Sequence, residues 1–267
     1  MMSAVRPMRL HARPAPSSKP PVLFVHGVYH GAWAFEDAES IFHGAGYPVH
    51  RIDLRGHGGE RRVQPNDPIG FGDYQADVRT ALDSVAGMKI VVGHSLGGLL
   101  ALSLAARPDV AALVLMAVPL PDVLRATTWR LLLRFPLRVL RFAWTGDATV
   151  LYHEERFVNH YLLSRYTPPN IAAHALARIR QQQEPAQLFR EIMRLRLPSL
   201  PDGLPCLVVS GADDPTVTQA AAERLKRLTN GAHIHVLNCG HDIMLEESAG
   251  ETWCQVLRWI DEAVRVV

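Results

Sequence analysis

Between residues 90 and 107 the chain runs Ile90-Val91-Val92, then Gly93-His94-Ser95-Leu96-Gly97, then a helical stretch from Gly98 to Arg107. A pentapeptide of the form G-x-S-x-G, set between a β-rich run and a helix, predicts a sharp strand-to-helix turn that presents its central side chain. Glycine is needed on both sides because the turn strains the central residue and a bulkier neighbour would crowd the adjoining strand and helix. Ser95 is therefore the candidate nucleophile, its oxygen expected to be lifted into solvent above the positive end of the following helix. Glycine-flanked serines also occur in ordinary turns, so the reading needs partners elsewhere in the chain.

A serine hydroxyl attacks only when a base takes its proton and a carboxylate orients that base. Two later segments supply these groups: Gly211-Ala212-Asp213-Asp214-Pro215 after a β-rich run ending at Ser210, and Asn238-Cys239-Gly240-His241 after the next one. His241 is the candidate base. Asp214, three residues past Gly211, is the preferred acid, which would leave Asp213 as a loop residue bonding backbone amides; Asp122 is a further alternative. The oxyanion formed on attack needs donors, expected from the backbone amides of Leu96 and of Val28, in the loop that His26-Gly27-Val28 begins. Tyr29 and His94, beside these groups, are candidates for substrate contact.

Short β-rich runs alternate with helix-period stretches, which predicts a parallel sheet flanked by helices. The strands are placed at 22–25, 48–52, 89–92, 112–116, 206–210 and 233–237. Tyr74, Val78, Leu82 and Val85 define one face of a helix over 72–86 with Asp73 as its cap, and further helices are expected over 217–228 and 248–264. The alternation stops between 119 and 198, where no convincing strand is found. That stretch reads as an inserted helical cap, and its twelve Arg against six acids set it apart from an otherwise mildly acidic chain. The expected organisation is a Pro-rich tail or first strand over 1–21, a core over 22–118 and 199–267, and the cap over 119–198.

Four segments together resemble the α/β-hydrolase superfamily: His26-Gly27-Val28-Tyr29-His30-Gly31-Ala32-Trp33, Asp53-Leu54-Arg55-Gly56-His57-Gly58, Gly93 to Gly98, and the Gly211-to-Asp214 and Gly240-His241 pair. The order serine, acid, histidine is that superfamily's order. The opening segment is similar to that of plant methylesterases and hydroxynitrile lyases, and the whole looks closest to bacterial lysophospholipase-like carboxylesterases. The resemblance implies an α/β fold with a mostly parallel eight-stranded sheet, a helical lid, and a serine hydrolase that cleaves a carboxylic ester or thioester through an acyl-enzyme. It implies no cofactor and no metal, and a scaffolding role for Asp53 to Gly58. Where many relatives have serine after that stretch, this chain has Gly59-Glu60-Arg61-Arg62, which bears on loop shape. The alternatives are a lyase or carbon–carbon bond hydrolase on the same scaffold, or a non-catalytic small-molecule binder; all three lysines, Lys19, Lys89 and Lys226, fall outside the expected site loops, against the lyase.

Within the cap, Arg130, Arg134, Arg138 and Arg141 recur at helical spacing opposite leucines and aromatics, with Pro136 expected to kink or split the helix. The favoured reading is an apolar face buried over the pocket and arginines in water; contact with an anionic membrane surface is the less favoured one. The net charge of +2 gives no reason to expect a nucleic-acid partner. His153, His160 and His174 show no metal-site spacing. Cys206, Cys239 and Cys254 form neither a disulfide framework nor a paired C-x-x-C, and no apolar run has signal-peptide or membrane-spanning form, so a reducing, cytoplasmic setting is expected. The partner is expected to be a small-molecule ester or thioester, a lipid-like one being one option; the oligomeric state is not readable.

Overall fold

The computed structural model describes residues 8–58 and 62–264, so Gly59, Glu60 and Arg61 of the Gly59-to-Arg62 departure lie outside the described residues. The elements follow in chain order as β1 (Arg9–Arg13), β2 (Val22–Val25), α1 (Glu36–Gly44), β3 (Val49–Asp53), α2 (Phe71–Ser84), β4 (Lys89–His94), α3 (Leu96–Ser103) and β5 (Val110–Met116). Six helices come next: α4 (Pro121–Arg134), α5 (Pro136–Thr145), α6 (Thr149–Tyr152), α7 (Glu155–Tyr161), α8 (Pro169–Ile179) and α9 (Ala186–Ile192). The chain closes with β6 (Cys206–Gly211), α10 (Gln219–Thr229), β7 (Ala232–Val236) and α11 (Ala249–Ala263).

The strands form one sheet in the order β1-β3-β2-β4-β5-β6-β7, parallel throughout except for β1 against β3. Among the described residues the sheet has seven strands rather than the expected eight. Pro14, Pro16, Pro20 and Pro21 lie between β1 and β2 and carry no amide hydrogen for a ladder, so no further strand forms there.

The central strands are buried on both faces, which is why they read as unbroken apolar runs. Alternation divides their side chains: Leu23, Val25, Val91, Leu113 and Leu115 pack with α2, α3 and α10, while Val22, Phe24, Ile90, Val92 and Val114 pack with α1 and α11. On the second side Trp253 meets Phe24 and Phe42 edge-on, with ring centroids 5.8 Å away in both cases.

Two local expectations need correction. Asp73 is not the cap of α2; Gly70 holds that position, and Asp73 reaches back from the first turn to accept its amide at 2.9 Å. The arginine stripe is not one free face. Pro136 splits it between α4 and α5, Arg130 donates to Pro215 O, and Arg138 pairs with Glu154. The leucines and tryptophans expected beneath it divide between the two sides of these helices, and Trp129, Leu133, Leu137, Leu140 and Trp144 are exposed.

Because Trp253 is fully buried among aromatic rings, Trp253→Ala is expected to destabilise the protein by about 3–5 kcal/mol, read as a lower midpoint in chemical denaturation.

Candidate active site

Ser95 lies between β4 and α3 with φ 50° and ψ −113°, a left-handed backbone that a serine adopts only under constraint. The two glycines provide that constraint. A Cβ on Gly93 would run into the backbone of Gly97, and a Cβ on Gly97 into the carbonyl of Val25. The turn can therefore press against β2 only with hydrogen at both positions.

Its position brings three distant side chains together. His241 Nδ1 donates to Asp214 Oδ2 at 2.7 Å, which leaves Nε2 as the acceptor for the Ser95 hydroxyl 3.1 Å away. Asp214 also takes the amide-bonding role expected of Asp213: its Oδ1 accepts from Thr216 N at 2.7 Å and Val217 N at 2.9 Å, and the Asp213 side chain is exposed. Asp122 pairs instead with Arg224. Burial disfavours a charged His241, but the Asp214 carboxylate and its hydrogen bond outweigh this, so the imidazole titrates above the ordinary histidine value.

Ser95 is buried rather than lifted into solvent, because helices α4 to α7 and α9 lie over it and line a cavity. Val28, His94, Ser95, Leu96 and His241 line its polar end, and Leu124, Leu131, Val139, Phe142, Leu151 and Phe189 its apolar walls. Among the described residues, neither the Val28 nor the Leu96 amide has a backbone acceptor. Gly27 permits the approach of the Val28 loop, since a Cβ there would lie 2.9 Å from His94 Nδ1 and 3.1 Å from Ser95 Cβ. His94 donates from Nε2 to the His241 carbonyl at 3.1 Å, and burial next to His241 lowers its pKa to about 3, so it stays neutral. Tyr29 is not part of the cavity lining; it is buried against Tyr152 with ring centroids 4.4 Å apart. Cys239 packs in the core, where burial pushes its thiol up to about 12.

Several buried groups escaped the sequence reading. Glu184, between α8 and α9, accepts from Tyr29 N at 2.8 Å, His57 Nε2 at 3.0 Å and Tyr74 Oη at 2.9 Å. It thereby fixes the loop that carries Val28. Glu246 accepts from Gly240 N, Ser164 N and Ser164 Oγ, joining the His241 loop to the helices above. His30, His94 and Asp242 lie within 4.8 Å of one another, the one trio among the described residues with the donor set of a metal site. His30 bridges Val28 O and Asp242 Oδ2 and His94 Nε2 holds the His241 carbonyl, whereas His94 Nδ1 and Asp242 Oδ1 have no hydrogen-bond partner among the described residues.

A sequence model of the alpha/beta hydrolase family matches residues 22–253. The chain belongs to the alpha/beta hydrolase family. It is similar to the probable esterase PIR7A of Oryza sativa subsp. indica, 36% identical over 106 residues that make up 37% of this chain and 39% of that protein. The esterase PIR7B of Oryza sativa subsp. japonica is 34% identical over 115 residues, 40% and 41% of the two chains. The chain thus spans about two fifths of the length of the curated relatives it matches. Among solved structures, a putative aryl esterase from Burkholderia cenocepacia superposes with a TM-score of 0.71 at 19% identity, over 97% of this chain and 95% of that one. Est816, described as an N-acyl homoserine lactone degrading enzyme, gives 0.71 at 17% identity over 94% and 95%. At such identities the likeness is one of fold. These likenesses do not single out the lysophospholipase-like subgroup among the hydrolases.

The Glu184–His57 contact has a testable pH signature. Both ring nitrogens of His57 face acceptors, Glu184 Oε1 and Arg55 O. Burial opposes its charge, yet Glu184 raises its pKa above the ordinary 6.5. A folded-state value raised above the unfolded one gives stability that is full below 6.5 and fades as pH climbs through the raised value. Glu184→Gln is therefore expected to lower the denaturation midpoint most below pH 6.5, with the gap to wild type narrowing at alkaline pH.

Proposed function

We propose that the protein is a serine hydrolase that cleaves a carboxylic ester or thioester with a substantial apolar portion. The observation that carries this reading is the Ser95–His241–Asp214 chain of hydrogen bonds, 3.1 and 2.7 Å, facing a cavity with mainly apolar walls. The esterase names of the rice relatives support it over the segment they share with this chain. The segment over 119–198 serves as the cap, setting the shape of the apolar side of the site.

In this reading the substrate carbonyl sits between Ser95 Oγ and the amides of Val28 and Leu96. Ser95 attacks the carbonyl carbon as its proton passes to His241 Nε2, and the imidazolium is held by Asp214. The oxyanion is stabilised by the two amides. Collapse expels the alcohol or thiol, which takes the proton from His241. Water then enters, gives its proton to His241 as it attacks the acyl carbon, and the resulting intermediate releases the acid and restores Ser95. His94 remains uncharged throughout and adds no positive charge beside the base. The lysines lie elsewhere, Lys19 with Asp261, Lys89 with Asp109 and Lys226 with Glu223, which disfavours a lyase that depends on a lysine at the site.

Labelling by a fluorophosphonate and turnover of p-nitrophenyl esters are the direct tests. Ser95→Ala is expected to abolish labelling and to lower turnover by a factor on the order of 10⁶. Asp214→Asn should lower kcat by roughly 10⁴ by misdirecting the imidazole, whereas Asp213→Asn should leave it nearly unchanged. Since His241 must be neutral to act as base, kcat/KM is expected to rise with pH through a value above 6.5. Full activity of Ser95→Ala, or inactivation by Asp213→Asn alone, would overturn the assignment.

A further inference from the structure

Helices α4 and α5 are apolar on two sides. Leu124, Leu131, Val139 and Phe142 turn inward and line the cavity. Trp129 and Leu133 on α4, with Leu137, Leu140 and Trp144 on α5, turn the other way, at the spacings of three and four residues that keep side chains on one helical face. They are strongly exposed: Leu133, Leu137 and Trp144 retain 83, 81 and 91% of their accessible surface. Isolated exposed leucines are unremarkable, but five large apolar side chains gathered on two consecutive helices mark an interaction surface.

The charge around this surface identifies what it meets. The stretch from Pro121 to Thr145 contains five arginines and one acid, Asp122, which is paired with Arg224. Arg130 is engaged with Pro215 O and ties α4 to the core, while Arg125 and Arg138 are engaged within the 119–198 segment with Met193 O and Glu154. Arg134 and Arg141 pair with no carboxylate among the described residues, and Arg134 lies against the Phe135 ring. Two unpaired cations therefore border a row of leucines with a tryptophan toward each end. Protruding, highly exposed side chains suit a deformable apolar medium better than a preformed protein groove, and tryptophan and arginine favour the boundary between acyl chains and headgroups.

We propose that the outer face of α4 and α5 docks the protein on an anionic lipid surface, with Leu133, Leu137, Leu140, Trp129 and Trp144 entering the acyl boundary and Arg134 and Arg141 meeting phosphate headgroups. This surface is distinct from the cavity and does not depend on the chemistry assigned to Ser95. It reverses the preference that the arginine spacing alone suggested, in which the leucines were buried and only the arginines met water.

The experiment is flotation of the full chain with vesicles of phosphatidylcholine, with and without phosphatidylglycerol, alongside sedimentation equilibrium without lipid. Wild type is expected to float with the anionic vesicles and at least about tenfold more weakly with the neutral ones. Arg134→Gln combined with Arg141→Gln should weaken anionic binding by roughly tenfold or more. The triple variant Leu133→Ser, Leu137→Ser, Trp144→Ser should lose flotation while keeping its near-UV circular dichroism. Failure of wild type to float overturns the proposal; a dimer that the triple variant abolishes would then assign the face to a second copy of this chain. Flotation that persists in the triple variant overturns it as well, since binding would lie elsewhere.

Discussion

The geometry of the site depends on one strained residue. Ser95 occupies a left-handed backbone conformation of the kind that costs about 1–3 kcal/mol, and it is held there by contacts that tolerate no side chain at Gly93 or Gly97. Without this turn the end of β4 would carry its chain past β2 rather than fold back against it. With it, the hydroxyl, the amide of Leu96 and the start of α3 are fixed by the same few atoms. The parallel sheet then does the rest: β2, β4, β6 and β7 run in one direction, so the loops carrying Val28, Ser95, Asp214 and His241 emerge at the same edge.

Around this turn the histidines divide by their partners. His26 accepts the Leu54 amide on Nε2 and faces its neighbour's carbonyl with Nδ1, and burial lowers its pKa to about 3. His94 is held neutral in the same way. His57 and His241 each face a buried carboxylate and are shifted upward. Burial acts in the same direction on all four; a directly hydrogen-bonded carboxylate outweighs it at His57 and His241, whereas at His94, 3.6 Å from Asp242, burial and the neighbouring His241 prevail. A neutral His94 leaves the upward shift of His241 unopposed, because a second cation 5.1 Å away, ring to ring, would disfavour its protonation.

What could be read from the sequence was whatever local pattern dictates. The strands were legible because burial on both faces makes them continuous apolar runs, and the positions of Ser95, Asp214 and His241 followed from the residues at strand ends. The partners of His57 were not legible. Glu184 lies 127 positions away, in a stretch without periodic signal, and Glu246 lies 82 positions from Ser164. Nothing in the local sequence distinguishes either from an exposed surface glutamate. Helices α4 and α5 misled for a different reason. Apolar residues there occupy nearly the whole helical circumference, and spacing alone cannot say which half meets the cavity and which meets solvent.

The helices over the cavity are not held equally on all sides. At one end Glu184 and Glu246 are buried and satisfy three or more donors each; pulling those segments away would strand charged or polar groups in the interior, which is costly. At the other end the polar ties of α4 are exposed ones, Arg125 to Met193 O, Arg130 to Pro215 O and Asp122 to Arg224, which water replaces at little net loss, and Val123 and Leu124 pack against the core. Ser95 is buried at the polar end of the cavity, so the helices above it bound the space next to its hydroxyl. The polar anchoring is thus weaker at α4, which together with α5 carries the exposed leucines and tryptophans on its outer face.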